Sequence, residues 1–99
     1  MSNQATQQKK VILGNEYDNR LRDVLKNVLI ELGGKVRSHD WGVGGSQEME
    51  TMEVEINGGV LTIESETYVG LSIVGESSLV DRIFSIVITR KAPVPGFEN

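Results

Sequence analysis

The sequence predicts an α+β domain: an antiparallel β-meander of three or four strands, covered on one face by two helices, in the order α-β-β-β-β-α. Three patterns carry that prediction. Met52 to Ile63 alternates apolar and polar residues around Asn57-Gly58, as a β-hairpin does. Leu21, Val24, Leu25, Val28, Leu29 and Leu32 recur at steps of three and four, one stripe of a helix. Leu79, Val80, Ile83, Phe84 and Val87 form a second such stripe.

Residues 1–10 are polar and Gln-rich without periodicity and are expected to be a disordered tail. A single domain is expected over 11–90, with a flexible tail at 91–99. Val11-Ile12-Leu13 is read either as a short strand or as an apolar lead-in to the first helix. That helix is expected from about Glu16 to Leu32, with Asn15 as N-cap, Asp18 three residues on, and Gly33-Gly34 as the left-handed stop.

Lys35 to Trp41 alternates imperfectly, with Val36, Ser38 and Asp40 on one face and Arg37, His39 and Trp41 on the other. Charge on both faces suits an edge strand. Gly42-Val43-Gly44-Gly45-Ser46 is read as a flexible loop before the hairpin.

A two-residue type I′ turn at Asn57-Gly58 sets Ile56 against Gly59, Val54 against Leu61 and Met52 against Ile63, so the apolar residues share one face. A Gly58-Gly59 turn keeps the faces but opposes Glu53 and Glu64, a like-charge pair. Leu61, Ile63, Val69, Leu71 and Ile73 are all odd-numbered. Two readings preserve their common face: a turn with an odd number of loop residues, pairing Ile63 with Leu71, or one long strand bent near Gly70. The turn is preferred because strands run about 5–6 residues. Gly75 then ends the sheet and Ser78 with Asp81 suggests a capping box. The second helix is expected to about Val87, although Phe84, Ile86 and Ile88 also alternate as a strand would. Ala92-Pro93-Val94-Pro95-Gly96 reads as extended tail.

At 99 residues the chain can bury about 65% of its unfolded surface in a single core. It has no cysteine, which removes disulfides, thiolate metal sites and thiol catalysis. The apolar run after Lys9-Lys10 is too short for a signal-peptide core, and no stretch is long enough to span a membrane. A soluble, cytoplasmic protein is expected.

The net charge of −4 is unevenly spread. No Lys or Arg lies between Arg37 and Arg82, while Asp40, Glu48, Glu50, Glu53, Glu55, Glu64, Glu66, Glu76 and Asp81 do. The sheet therefore carries a negative field that repels nucleic acid and favours basic partners or divalent cations.

Chemistry has few starting points. His39 is the one histidine, beside Asp40 and near Glu48, but adjacent strand residues face opposite ways and no nucleophile elbow or H-x-x-H pattern accompanies it. A half-exposed strand histidine is the preferred reading, and no enzyme is expected. The glycine run lacks the lysine and following helix of a phosphate loop. The carboxylates lack EF-hand spacing, so no metal or other cofactor is expected.

What remains is protein binding. Glu53, Glu55, Glu64 and Glu66, with Trp41 and Tyr68 as aromatic anchors, form the expected partner-binding set. In size, acidity and lack of catalytic equipment the chain resembles the antidote proteins that bacteria hold against basic toxins such as nucleases. That resemblance implies an inhibitor or immunity-type role toward a basic protein. The alternative is a self-associating structural subunit, a homodimer paired through a strand edge or apolar surface.

Overall fold

The computed structural model describes residues 7–45 and 47–91. The elements run β1 (Gln8–Gly14), α1 (Asn19–Glu31), β2 (Lys35–Gly44), β3 (Gln47–Ile56), β4 (Gly59–Glu66), β5 (Gly70–Glu76) and α2 (Ser77–Lys91). All strands pair antiparallel in one sheet of order β1-β5-β4-β3-β2. The α+β class and the antiparallel sheet are as expected, but the strands number five. The added one is β1, which skips its neighbours in sequence and closes on β5, pairing Val11 with Ile73. It takes in Gln8, Lys9 and Lys10, which the sequence pattern assigned to the tail. Gln7 lies just before β1 and its carbonyl accepts from the Ser77 N–H, Lys91 of the expected C-terminal tail ends α2, and residues 1–6 and 92–99 lie outside the described residues.

The central hairpin has the expected register. Asn57 and Gly58 both take positive φ, 52° and 81°, as a type I′ turn requires. Val54 opposes Leu61 and Met52 opposes Ile63. Val54, Ile56, Leu61, Leu71 and Ile73 are buried beneath the helices with Leu21, Leu25, Val28 and Leu29 of α1 and Val80, Ile83 and Val87 of α2. Each such side chain contributes about 2 kcal/mol by leaving water.

The helix boundaries differ from expectation for identifiable reasons. Asp18, not Asn15, caps α1: its carboxylate accepts from the Leu21 N–H at 3.0 Å. Asn15 instead accepts from the Tyr17 N–H at 2.7 Å and makes the turn before the cap. The stop is as expected, with Gly33 N–H bonded to the Ile30 carbonyl and Gly34 N–H to that of Leu29. In α2 the helix begins at Ser77, directly after β5, and Asp81 pairs with Lys9 of β1 at 2.6 Å rather than closing a capping box. The helical alternative holds through Ile86 and Ile88 to Lys91. Its last turn is tied to both ends of α1, Lys91 to Asp18 at 2.7 Å and Arg90 to Glu31 at 2.6 Å.

Two strand expectations also change. The turn reading holds between β4 and β5, but Ile63 opposes Ile73 and Leu71 opposes Ser65. The loop is shorter than supposed, and β4 runs through the polar Glu64-Ser65-Glu66, which the apolar pattern alone would have cut off. Gly42-Val43-Gly44 is strand, not loop, pairing with Met49, Glu48 and Gln47. Ser46, the last residue of that expected loop, lies outside the described residues.

Gly70 closes the β4–β5 turn at φ +120°, and a Cβ there would lie 2.5 Å from the Gly14 carbonyl oxygen of β1. Gly70→Ala is therefore expected to cost about 2 kcal/mol or more in chemical denaturation, from backbone strain and the clash together. Asp18 provides a pH-dependent test. Its hydrogen bond to Lys91, then that from Leu21 N–H, holds its carboxyl below the ordinary 3.8. The resulting stability is complete above that value and is lost as pH falls through the lowered one. Asp18→Ala is expected to lower the melting temperature at neutral pH, and its deficit against wild type is expected to shrink below about pH 4.

Candidate functional site

Cross-strand pairing sorts the sheet into two faces. On the face away from the helices lie Asp40, Glu53, Glu55, Glu64, Glu66 and Glu76, with Lys10 and Lys35. Thr51, Thr62, Ser72 and Val74 fill the rows between them. Lys10 arrives from β1 and bonds Glu64 at 3.1 Å, so the acidic surface is partly neutralised by a residue far away in sequence.

The four glutamates of the expected partner-binding set are thus brought onto one surface. Trp41 is not among them. Its cross-strand partner is Glu50, and both face the helix side. The cause is a bulge in β2: Val36 opposes Val54 and Ser38 opposes Glu53, leaving Arg37 unpaired between them. The extra residue puts Val36 in phase with His39 and Trp41, and sends Ser38 and Asp40 to the acidic face. Strict alternation had put Val36 with Ser38 and Asp40. Tyr68 sits in the β4–β5 turn, exposed, at positive φ (72°), with its N–H given to Glu16 Oε2 at 3.3 Å.

The helix side holds two further features. Near Trp41 lies a polar cluster built on Arg22 of α1. Its Nε donates to the Glu16 carbonyl at 2.6 Å, one terminal nitrogen donates to Ser65 Oγ at 2.6 Å, and the other lies 3.6 Å from Glu50. Glu50 also takes His39 Nε2 at 2.6 Å. His39 therefore pairs with a carboxylate across the ladder and not with its neighbour Asp40. The nearby hydroxyl, Ser65, is held by Arg22. Among the described residues no three or more His, Asp or Glu side chains gather so as to hold a metal ion.

Beside the cluster runs an apolar groove of about 450 Å³ between α1 and the β2–β3 pair. Leu25, Leu29 and Ile30 form one wall, and Val36, Met52 and Val54 the other. It exists because two helices are too few for five strands. α2 lies against β1 and β5, and among the described residues neither helix packs extensively on β2. Trp41 is left 65% exposed and Val36 63%.

Arg22, Val36 and Met52 were not singled out from the sequence as functional residues. Arg22 carries no motif, Met52 reads as part of the hairpin's apolar face, and Val36 is placed with Ser38 and Asp40 on an edge strand. The one available sign was an apolar residue on a strand already assigned to an edge.

No family model, curated protein or solved structure matches the chain.

Trp41 is the one tryptophan, so its environment is directly readable. Its fluorescence is expected to be red-shifted and quenched by acrylamide nearly as strongly as a free tryptophan derivative. A blue-shifted, protected emission would contradict the exposed placement.

Proposed function

We propose that the chain is a small, non-catalytic protein-binding module that engages a basic partner, in the manner of an inhibitor or immunity-type antidote. The observation that carries the reading is the helix-free sheet face. Asp40, Glu53, Glu55, Glu64, Glu66 and Glu76 share it with Lys10 and Lys35, and Arg37 sits in the bulge at its margin, so carboxylates predominate among the described side chains there. Folding alone does not require that arrangement. A solvated sheet face is served equally well by mixed charge, whereas a single-sign field steers oppositely charged partners and rejects like-charged ones. The helix-side cluster supports a non-catalytic role, since His39 and Ser65 are engaged by Glu50 and Arg22 instead of by each other.

A second reading, a homodimer, is favoured by one observation: the exposed apolar residues Val36, Trp41 and Val43 along the outermost strand. Sedimentation separates the two, because a stable dimer without partners supports self-association.

The direct test is capture of partners from native extract. A basic protein is expected, with affinity falling about tenfold or more between low and moderate salt. The double variant Glu53→Lys, Glu64→Lys is expected to lose the partner while keeping its fold. Capture indifferent to salt and to charge reversal would overturn the reading.

A further inference from the structure

β2 is the last strand of the sheet, and among the described residues nothing pairs with its open side. In an antiparallel ladder alternate residues of an edge strand turn their N–H and C=O outward. Natural edges are normally blunted by charge, by bulges or by a covering element. The first part of β2 is blunted in this way, by Lys35, Arg37 and the bulge at Arg37. Beyond the bulge, Ser38 to Gly44 is regular strand, paired to β3 without interruption, and its two glycines leave the edge open to close approach.

The two faces at this edge differ in a way that specifies an occupant. On the helix side the edge presents Trp41 and Val43, both exposed, with the apolar groove beginning at Val36. On the other side it presents Asp40, with Glu53, Glu64 and Glu66 in the rows behind. A strand laid along Ser38–Gly44 would touch both faces through alternate side chains. No occupant confined to one face can reach Trp41 and the glutamates together.

We propose that this edge receives a β-strand from a basic partner, one whose apolar and basic residues alternate. The apolar side chains lie on Trp41 and Val43, and the basic ones lie over Asp40 within reach of Glu53 in the next row, while Glu64 and Glu66 add to the field. A second copy is a poor occupant, because pairing two β2 strands side by side would join two acidic faces and bring the two Asp40 carboxylates toward each other, with no basic row between them. The inference rests on the basic-partner reading above and adds the place and geometry of contact.

The test uses a capped synthetic peptide of about nine residues, alternating valine and lysine. Its control is the same peptide methylated on its central backbone nitrogens, which keeps every side chain and removes the N–H donors. Binding is expected to slow hydrogen exchange of the outward-facing amides within Ser38–Gly44. Methylation and Trp41→Ala are each expected to weaken binding about tenfold, with Trp41→Phe recovering part of the loss. Salt-sensitive binding that Glu53→Lys, Glu64→Lys abolishes, but that ignores methylation and leaves the β2 amides unprotected, would overturn the edge proposal while sparing the basic-partner reading. Absence of binding by both peptides at low salt would sink both. A dimer whose β2 amides are protected before any peptide is added would also overturn the proposal, since a second copy would then hold the edge.

Discussion

The register of the β3–β4 hairpin is the constraint on which the rest of the molecule depends. Side chains in a strand alternate with a period of two, so a slip of one residue would carry Val54 and Ile56 into solvent and bring Glu53 and Glu55 beneath the helices. The Asn57-Gly58 turn prevents that slip by admitting the two positive φ values needed at one place. One local choice thereby sets the core and the acidic face together. The remaining strands extend the same division outward in rows: Ile63 and Ile73 continue inside, and Thr62 and Val74 continue outside.

With the faces set, the shape follows from a mismatch of numbers. Two amphipathic helices side by side can cover about four strands at usual packing distances, and the described sheet has five. The helices gather over β1, β5 and the centre, where the strands are most apolar, and the last turn of α2 ties them together through Lys91 to Asp18 and Arg90 to Glu31. The β2–β3 end projects beyond this cover. Its helix-side residues shift accordingly from Val54, which is buried, to Met52, half-buried, and then to the polar His39 and Glu50 and the exposed Trp41. The groove is the boundary between the covered and uncovered parts of one face.

Much of this was legible in the letters, and the parts that were not share a cause. The two helical stripes, the Gly33-Gly34 stop and the hairpin register are local patterns, each set by residues within one or two turns of one another. β1 was ambiguous because its partner, β5, is distant in sequence and because Ile12 faces the solvent side, breaking the alternation that would have marked a strand. The phase of Val36 was misjudged because a bulge at Arg37 has no dependable signature of its own. The glycine run was misjudged because glycine is disfavoured in strands on average, and here two glycines lie at an edge, where little packing is lost. For the same reason Glu53, Glu55 and Glu64 could be placed on one face from the hairpin alone, whereas the positions of Glu66, beyond the apolar pattern, and of Trp41 could not.

The pairing of β1 with β5 also bears on how the chain reaches this state. Val11 meets Ile73, and the Ser77 N–H meets the Gln7 carbonyl, so the first and last strands in sequence are adjacent in the sheet. The β2–β3, β3–β4 and β4–β5 ladders each close a short loop, but the β1 ladder must close nearly the whole domain, and its entropic cost is correspondingly greater. The meander and α1 are therefore suited to form before β1 is in place. Until β1 docks, β5 is itself an open edge and Lys10 is absent from the acidic face. A chain with the meander formed and β1 still undocked would be more acidic on that face, and more exposed along β5, than the finished protein.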